Sequence, residues 1–294
     1  MLAPHAGTTH HLDSANAIVL RERLLPNEPR IRNFAMEDAL TIRHLQPVLR
    51  ELEACMLAVR TQLDPELQRL RPAKERKPYP IGQCLEIAKA VRKRLVAVDA
   101  ATLPANAAVG LRALRAFQRA GGSFRLVWGD LRGQYFQNAF QLGTLYVDVS
   151  NDTVVPTKPK VEILPFEDAQ FIPIRDFWHY SEIASRYWTE NIYPNHVLPK
   201  LAPHCPLLHI SNSGQIRVFD ASDYMVSLTK IDGFKPSESV LGSTAMPVDV
   251  FDRVAHALKG SGHLLAPNAE HGRLMAMIKQ LLFCKFPESG FGPL

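Results

Sequence analysis

The residues with the clearest chemical potential are Tyr79-Pro-Ile-Gly-Gln-Cys84, a run that sets a cysteine behind a glutamine at the first turn of a predicted helix. Backbone N–H groups at a helix start stabilise negative charge and lower a thiol's pKa, and a neighbouring glutamine amide can polarise a carbonyl. The chemistry this suggests is acyl transfer, with Cys84 attacking a carbonyl carbon while the Gln83 amide and the Cys84 N–H hold the oxyanion. A free cysteine is also a small hydrophobe, and Cys84 shares one apolar stripe with Ile87, Ala88, Val91, Leu95 and Val98. A packed core cysteine and a nucleophile on a buried central helix both show such a stripe, so periodicity does not separate them.

The elements that must position this thiol follow from the apolar pattern. Residues 83–98 read as an amphipathic helix, and the polar, basic, proline-rich stretch 71–80 as the loop that delivers the chain to it. Upstream, Ile42, Leu45, Leu49, Leu52, Met56 and Val59 recur at helical spacing between Met36 and Leu63, with Pro47 either kinking that segment or starting a second helix. Downstream, a helix over 105–119 ends at Gly121-Gly122, and strands follow at 124–128, 135–149, 154–155 and 161–164, an antiparallel meander. Residues 175–191 return to helix, and 207–211 with 215–219 form a hairpin around Asn212-Ser213-Gly214. A strand over 224–231 and helices over 248–258 and 269–286 complete the chain. The expected fold class is α+β: a central antiparallel sheet packed on the helix that starts at Cys84, with helical N-terminal and C-terminal parts. Residues 1–33 read as an extended arm and 34–294 as one domain, with a candidate sub-boundary in the proline-rich stretch 193–206.

This order of elements resembles the transglutaminase-like branch of the papain-like cysteine enzymes, over about residues 79–150. In that family the helix carries the thiol, a following strand a histidine before a small and an aromatic residue, and the next strand an aspartate. Here Asn138-Ala139-Phe140 is similar to the histidine segment and Leu145-Tyr146-Val147-Asp148 to the aspartate segment. The resemblance implies Asp148 as the residue that orients a base, and Asn138, Trp128 and Tyr146 as residues that contact substrate. A reading without the family leaves Asp148 as a partner of Arg125 or Arg132, and Asp130 in a turn.

Asn138 is the departure from the pattern, because an amide is not basic and takes no proton from a thiol near neutral pH. No histidine occurs between His44 and His179, so a base must be borrowed from later in the chain, dispensed with, or absent along with catalysis. Among His179, His196, His204 and His209, the last alternates with Leu208 and Ile210 on a predicted strand and is the preferred displaced base. His179 sits on an aromatic helix, and His196 and His204 in proline-rich coil where a mobile loop is conceivable.

Composition bounds the alternatives. A net charge of +5 over 294 residues, with Lys74–Lys77 interrupted by Glu75, is too small to imply nucleic acid. Cysteines 55, 84, 205 and 284 lie far apart with no zinc-type spacing, which suits reduced thiols; Cys55 and Cys284 fall within helical apolar patterns. His10-His11 and the His179, Glu182, Glu190, His196 group have too few matched partners to hold a metal. No secretory signal or membrane-length apolar run is found, so a cytoplasmic chain is expected; a specialised secretion signal would escape this reading.

Three functions therefore stand at this point. The leading one is thiol-dependent acyl chemistry (transamidation, deamidation, amide hydrolysis or acyl transfer) on an amide- or thioester-bearing small molecule or protein, without a cofactor, nucleic acid or membrane. The second is a binding or effector protein on the same scaffold that has lost its base, with the aromatic residues from Phe177 to Trp188 as its contact surface. The third is a small-molecule tailoring enzyme whose cofactor leaves no motif in the sequence.

Overall fold

A computed structural model describes residues 24–218 and 222–285. The described chain divides into two compact units, one spanning Asn27–Pro173 and the other holding Ile174 onward. The proline-rich stretch 193–206, expected as a sub-boundary, is internal to the second unit. Asn195 bonds the Cys205 carbonyl through Nδ2 at 2.8 Å and Pro206 through its N–H at 2.8 Å, and Val197, Leu198 and Ala202 are buried.

In the first unit, α1 (Phe34–His44) and α2 (Leu49–Leu70) are separated by a 3-10 turn at Gln46–Val48, so Pro47 starts a second helix instead of kinking one. A two-rung hairpin of β1 (Ala73–Lys74) and β2 (Lys77–Pro78) follows, then α3 (Cys84–Ala97) and α4 (Ala105–Arg119). The predicted stripe is the buried face of α3: Cys84, Ile87, Ala88, Val91 and Leu95. It packs with Leu52, Met56, Val59 and Leu63 of α2 and Leu111, Leu114 and Phe117 of α4. Full burial of each large aliphatic side chain stabilises by about 1.5–3 kcal/mol, so this core is a main source of the unit's cohesion. Gly110 permits the α2–α4 crossing, because a Cβ there would sit 2.1 Å from the Glu51 carbonyl oxygen.

The sheet is antiparallel, in spatial order β6 (Glu162–Pro165), β5 (Leu145–Asp148), β4 (Tyr135–Leu142), β3 (Phe124–Leu131) and β7 (Phe171–Ile172). The expected meander is thus present, packed on α3, with β7 added at the far edge. The predicted single strand 135–149 is a hairpin, because Gly143 takes φ +62° at its turn. Val154-Val155 is a turn after the 3-10 segment Asn151–Thr153, where Thr153 bonds the Ser150 carbonyl through both N–H and Oγ. Asp130 lies within β3 and not in a turn, paired across to Phe136 and Ile172.

Alternation along the strands sorts the side chains between two faces. Leu126, Phe140, Leu142, Leu145, Val147 and Val149 join the helical core, whereas Val127, Leu131, Ala139 and Tyr146 pack with Phe166, Ala169 and Phe171 on the opposite face. Residues 27–30 of the expected arm are held along β3: Asn27 accepts from the Trp128 N–H at 2.7 Å, and Arg125 donates to the Glu28 carbonyl at 2.6 Å. Residues 1–23 of that arm, with His10 and His11, lie outside the described residues, as does the side chain of Cys284.

The second unit runs α5 (Phe177–Trp188), β8 (Asn191–Pro194), β9 (Leu207–Ile210), β10 (Ile216–Val218), α6 (Asp223–Thr229), α7 (Glu238–Leu241), α8 (Val248–Ala257) and α9 (Ala269–Lys285). The predicted β9–β10 hairpin forms, with β8 on the other side of β9. The strand expected over 224–231 is instead helix α6. Ser222 accepts from the Met225 N–H at 3.3 Å, a side-chain cap that starts a helix despite strand-favouring composition.

Candidate functional site around Cys84

Cys84 is the first residue of α3, reached through a turn in which Gly82 takes φ +71° and donates its N–H to Thr153 at 2.9 Å. Gln83 is the N-cap residue, but its side chain makes no cap bond. Its amide is buried and donates to the Arg71 carbonyl at 3.1 Å, away from the oxyanion role expected of it. The thiol turns onto the sheet, where Asn138 Nδ2 donates to Sγ at 3.4 Å. Residues 54 apart in sequence thus meet in one thiol–amide contact.

The electrostatics at the thiol oppose a resting thiolate. Cys84 is 7% exposed, and burial pushes its pKa up; the Asn138 side chain and backbone N–H pull it down, and the Asp148 charge adds to the rise. A helix N-terminus lowers a thiol pKa where the anion remains solvated, and here desolvation wins.

Asp148 is placed differently from the expectation. On β5 it follows Tyr146 with a period of two, on the face away from Asn138 and Phe140, so it does not hydrogen-bond the Asn138 side chain. Its Oδ1 accepts from the Ser150 N–H at 2.7 Å and lies 2.9 Å from Ser150 Oγ; its Oδ2 accepts from Gln137 Nε2 at 2.6 Å and Tyr146 OH at 3.1 Å. Burial pushes Asp148 up to about 6 against the pull of these four donors. Neither arginine considered for it is its partner: Arg125 bonds the Glu28 and Arg30 carbonyls and Arg132 bonds Glu162. Tyr146 is fully buried and its hydroxyl is raised well above its ordinary value, by burial first and then by Asp148. Trp128 lies directly across from Asn138 on β3, half-buried and stacked on Phe136 at 5.2 Å, and shares the thiol's face.

Three residues that sequence reasoning missed hold this arrangement together. Ser150 links Asp148 to the Asn138 carbonyl, 3.3 Å from its Oγ; the spacing Asp148-Val-Ser150 is an Asx-turn signal that the chain displays openly. Gln137 carried no such signal. Arg60, fully buried on α2, donates to the Val149 carbonyl at 2.7 Å, to both Asp152 oxygens at 2.9 and 3.1 Å, and to Asp64 at 2.6 Å. Asp64 also accepts from Tyr79 OH at 2.5 Å and from Lys160, which outweigh its burial and hold it below its ordinary value. Arg60 therefore pins the turn after β5 to the loop before Cys84.

The later histidines sit in the second unit with partners of their own. His209 Nδ1 is 3.0 Å from Glu190, which also binds Arg217, and the rings of Tyr180 and Trp188 lie 5.8 and 6.0 Å away. His196 is buried between the Leu241 carbonyl at 3.0 Å and the Met246 N–H at 3.3 Å, which is no mobile loop. His179 accepts from the Arg175 N–H at 3.2 Å, and the His204 ring meets Phe234 edge-on at 4.8 Å. Cys55 is core, its thiol pushed up by burial to about 11.

No family model, no curated protein and no solved structure matches this chain. Among the described residues no helix is long and apolar enough to cross a membrane.

Proposed function

We propose that this chain is a binding or effector protein whose first unit has the layout of a transglutaminase-like cysteine enzyme without the base. The single observation that carries this reading is the Cys84–Asn138 contact: a buried thiol, raised by burial, whose polar partner is an amide. With no proton acceptor bonded to it among the described residues of the first unit, the thiol stays protonated, and a protonated thiol is a poor nucleophile. In this reading Asn138 replaces catalysis with a satisfied polar contact in the core, and the half-buried Trp128 across from it on β3 is an aromatic anchor for a partner. The experiment is the rate of iodoacetamide alkylation of Cys84 in the folded protein against pH. The expected profile is slow at neutral pH, with its inflection above the ordinary thiol value of about 8.5. A fast reaction with an inflection near 6 would overturn the reading.

One feature supports thiol-dependent acyl chemistry as a second reading, namely the place of Cys84 as the first residue of α3. There the Cys84 thiol would attack a thioester carbonyl while the Asn138 amide donates to the oxyanion; the carbonyl's bond to the departing sulfur breaks, that sulfur leaves as a free thiol carrying the Cys84 proton, and the acyl group stays on Cys84. Mass spectrometry after incubation with an acyl thioester separates the two readings: an acyl adduct confined to Cys84 supports the second and removes the first.

A further inference from the structure

At the far end of α3 from Cys84 the surface changes character. Between Cys84 and Phe124 the chain carries seven lysines and arginines against two acids. Neither acid serves those cations: Glu86 is taken by Arg71 and Lys74, and Asp99 caps the Ala101 N–H at 3.0 Å. Among the described residues none of the seven has a carboxylate partner. The net charge of the whole chain conceals this local excess in the sequence.

A cavity of about 370 Å³ opens near the end of α3, lined by Leu95, Val96, Arg115, Gln118, Arg119 and Phe124, so two of the seven cations border it. Its volume lies within the range of small-molecule sites, and this open cavity sets an apolar wall beside the polar side chains of Arg115, Gln118 and Arg119. Val96 is 76% exposed, an aliphatic side chain left in water at the rim. Arg115 is half-buried, and one terminal nitrogen donates to the Val98 carbonyl at 2.6 Å and the Leu95 carbonyl at 3.4 Å. Those two bonds anchor the guanidinium, and its other terminal nitrogen and Nε make no hydrogen bond among the described residues. An arginine held in this way has already lost part of its rotamer freedom, which lowers one of the costs of using it to grip an anion. Arg119, one turn further along α4, and Gln118 add donors beside it.

We infer that this cavity binds an anionic amphiphile, a small molecule with one phosphate or carboxylate on a short apolar body. The anion meets Arg115 and Arg119, and the body lies over Val96, Leu95 and Phe124. The site is separate from Cys84, about 17 Å along α3 at 1.5 Å per residue, and stands whichever way the thiol experiment falls.

Calorimetric titration of the full chain with hexyl phosphate tests it, with inorganic phosphate and hexylamine as the two half-probes. Hexyl phosphate is expected to bind about tenfold or more tightly than either, and Arg119→Gln or Val96→Asp to weaken it about tenfold. Arg119 and Val96 are exposed, so these variants are expected to fold as the parent does. Arg115→Lys adds a specific arm: it keeps the charge but loses the fork, and is expected to weaken binding as well. Hexylamine binding as tightly as hexyl phosphate would overturn the site, and so would affinities that both exposed variants leave unchanged. Binding to phosphatidylglycerol vesicles or to single-stranded oligonucleotide without binding of hexyl phosphate would replace the cavity with a general basic face and equally overturn it.

Discussion

At the scale of single residues, the protein's chemistry turns on which group stands beside one thiol. Asn138 donates to Cys84 Sγ but cannot remove its proton, so an imidazole at position 138 is the direct test of whether the partner or burial governs the thiol. Asn138→His is expected to move the alkylation inflection of Cys84 at least about one pH unit below that of the parent, because a neighbouring imidazolium stabilises the thiolate. An unchanged inflection would show that burial, not the partner, governs the thiol. Asp148 yields a second residue-scale expectation through pH. Its folded pKa of about 6 lies above the ordinary carboxylate value of about 3.9, so the folded state holds the proton more tightly than the unfolded chain. Stability from this group is therefore greatest below pH 4 and is lost as pH rises to about 6, by about 3 kcal/mol in total. Asp148→Asn removes that loss. Urea unfolding between pH 4 and 7 should show the variant gaining on the parent across this window, and parallel curves would refute the assignment.

At the scale of elements, the site is held by one buried cation. Arg60 on α2 joins the turn after β5, through Val149 and Asp152, to Asp64, which in turn holds Tyr79 of the loop before Cys84. Removing one partner from a buried charge network leaves the others uncompensated. Arg60→Met is expected to destabilise the protein by about 3–5 kcal/mol, read as a lowered urea midpoint, and to raise the alkylation rate of Cys84 as the Gly82–Thr153 contact loosens. A variant within about 0.5 kcal/mol of the parent would mean that the network is dispensable. The same elements show how much a sequence discloses. The α3 stripe, the β3–β4 pairing and the helix break at Pro47 are local signals, and each is present in the structure. Helix α6 was misread as a strand because Tyr224, Val226 and Leu228 suit either element, and the cap at Ser222 decided between them.

At the scale of the whole molecule, the chain forms two compact units that meet in sequence at Pro173–Ile174, each with its own apolar cluster. The first holds Cys84, Asn138, Asp148 and the Arg60 network, and about 150 residues suffice for a self-standing core. Residues 27–173 expressed alone are expected to unfold in one cooperative urea transition and to keep the slow Cys84 alkylation of the full chain. Non-cooperative unfolding, or a thiol that reacts at the rate of a free one, would show that the unit depends on the rest of the chain.

The sequence by itself determined the α+β class, the helix opening at Cys84, the antiparallel meander that follows and the amide at position 138, because each is written in periodicity, turn residues or residue type. Only the tertiary structure decided that Asn138 touches the thiol and that Asp148 faces the other side of the sheet, a matter of strand register that a one-residue shift would reverse. It also decided that Gln83 serves Arg71 and that His209 is held by Glu190, since a side chain's hydrogen-bond partners come from distant segments that no local pattern encodes. The thiol's raised pKa belongs with these: residue type supplies the group, and burial at the start of α3 against the sheet sets its charge.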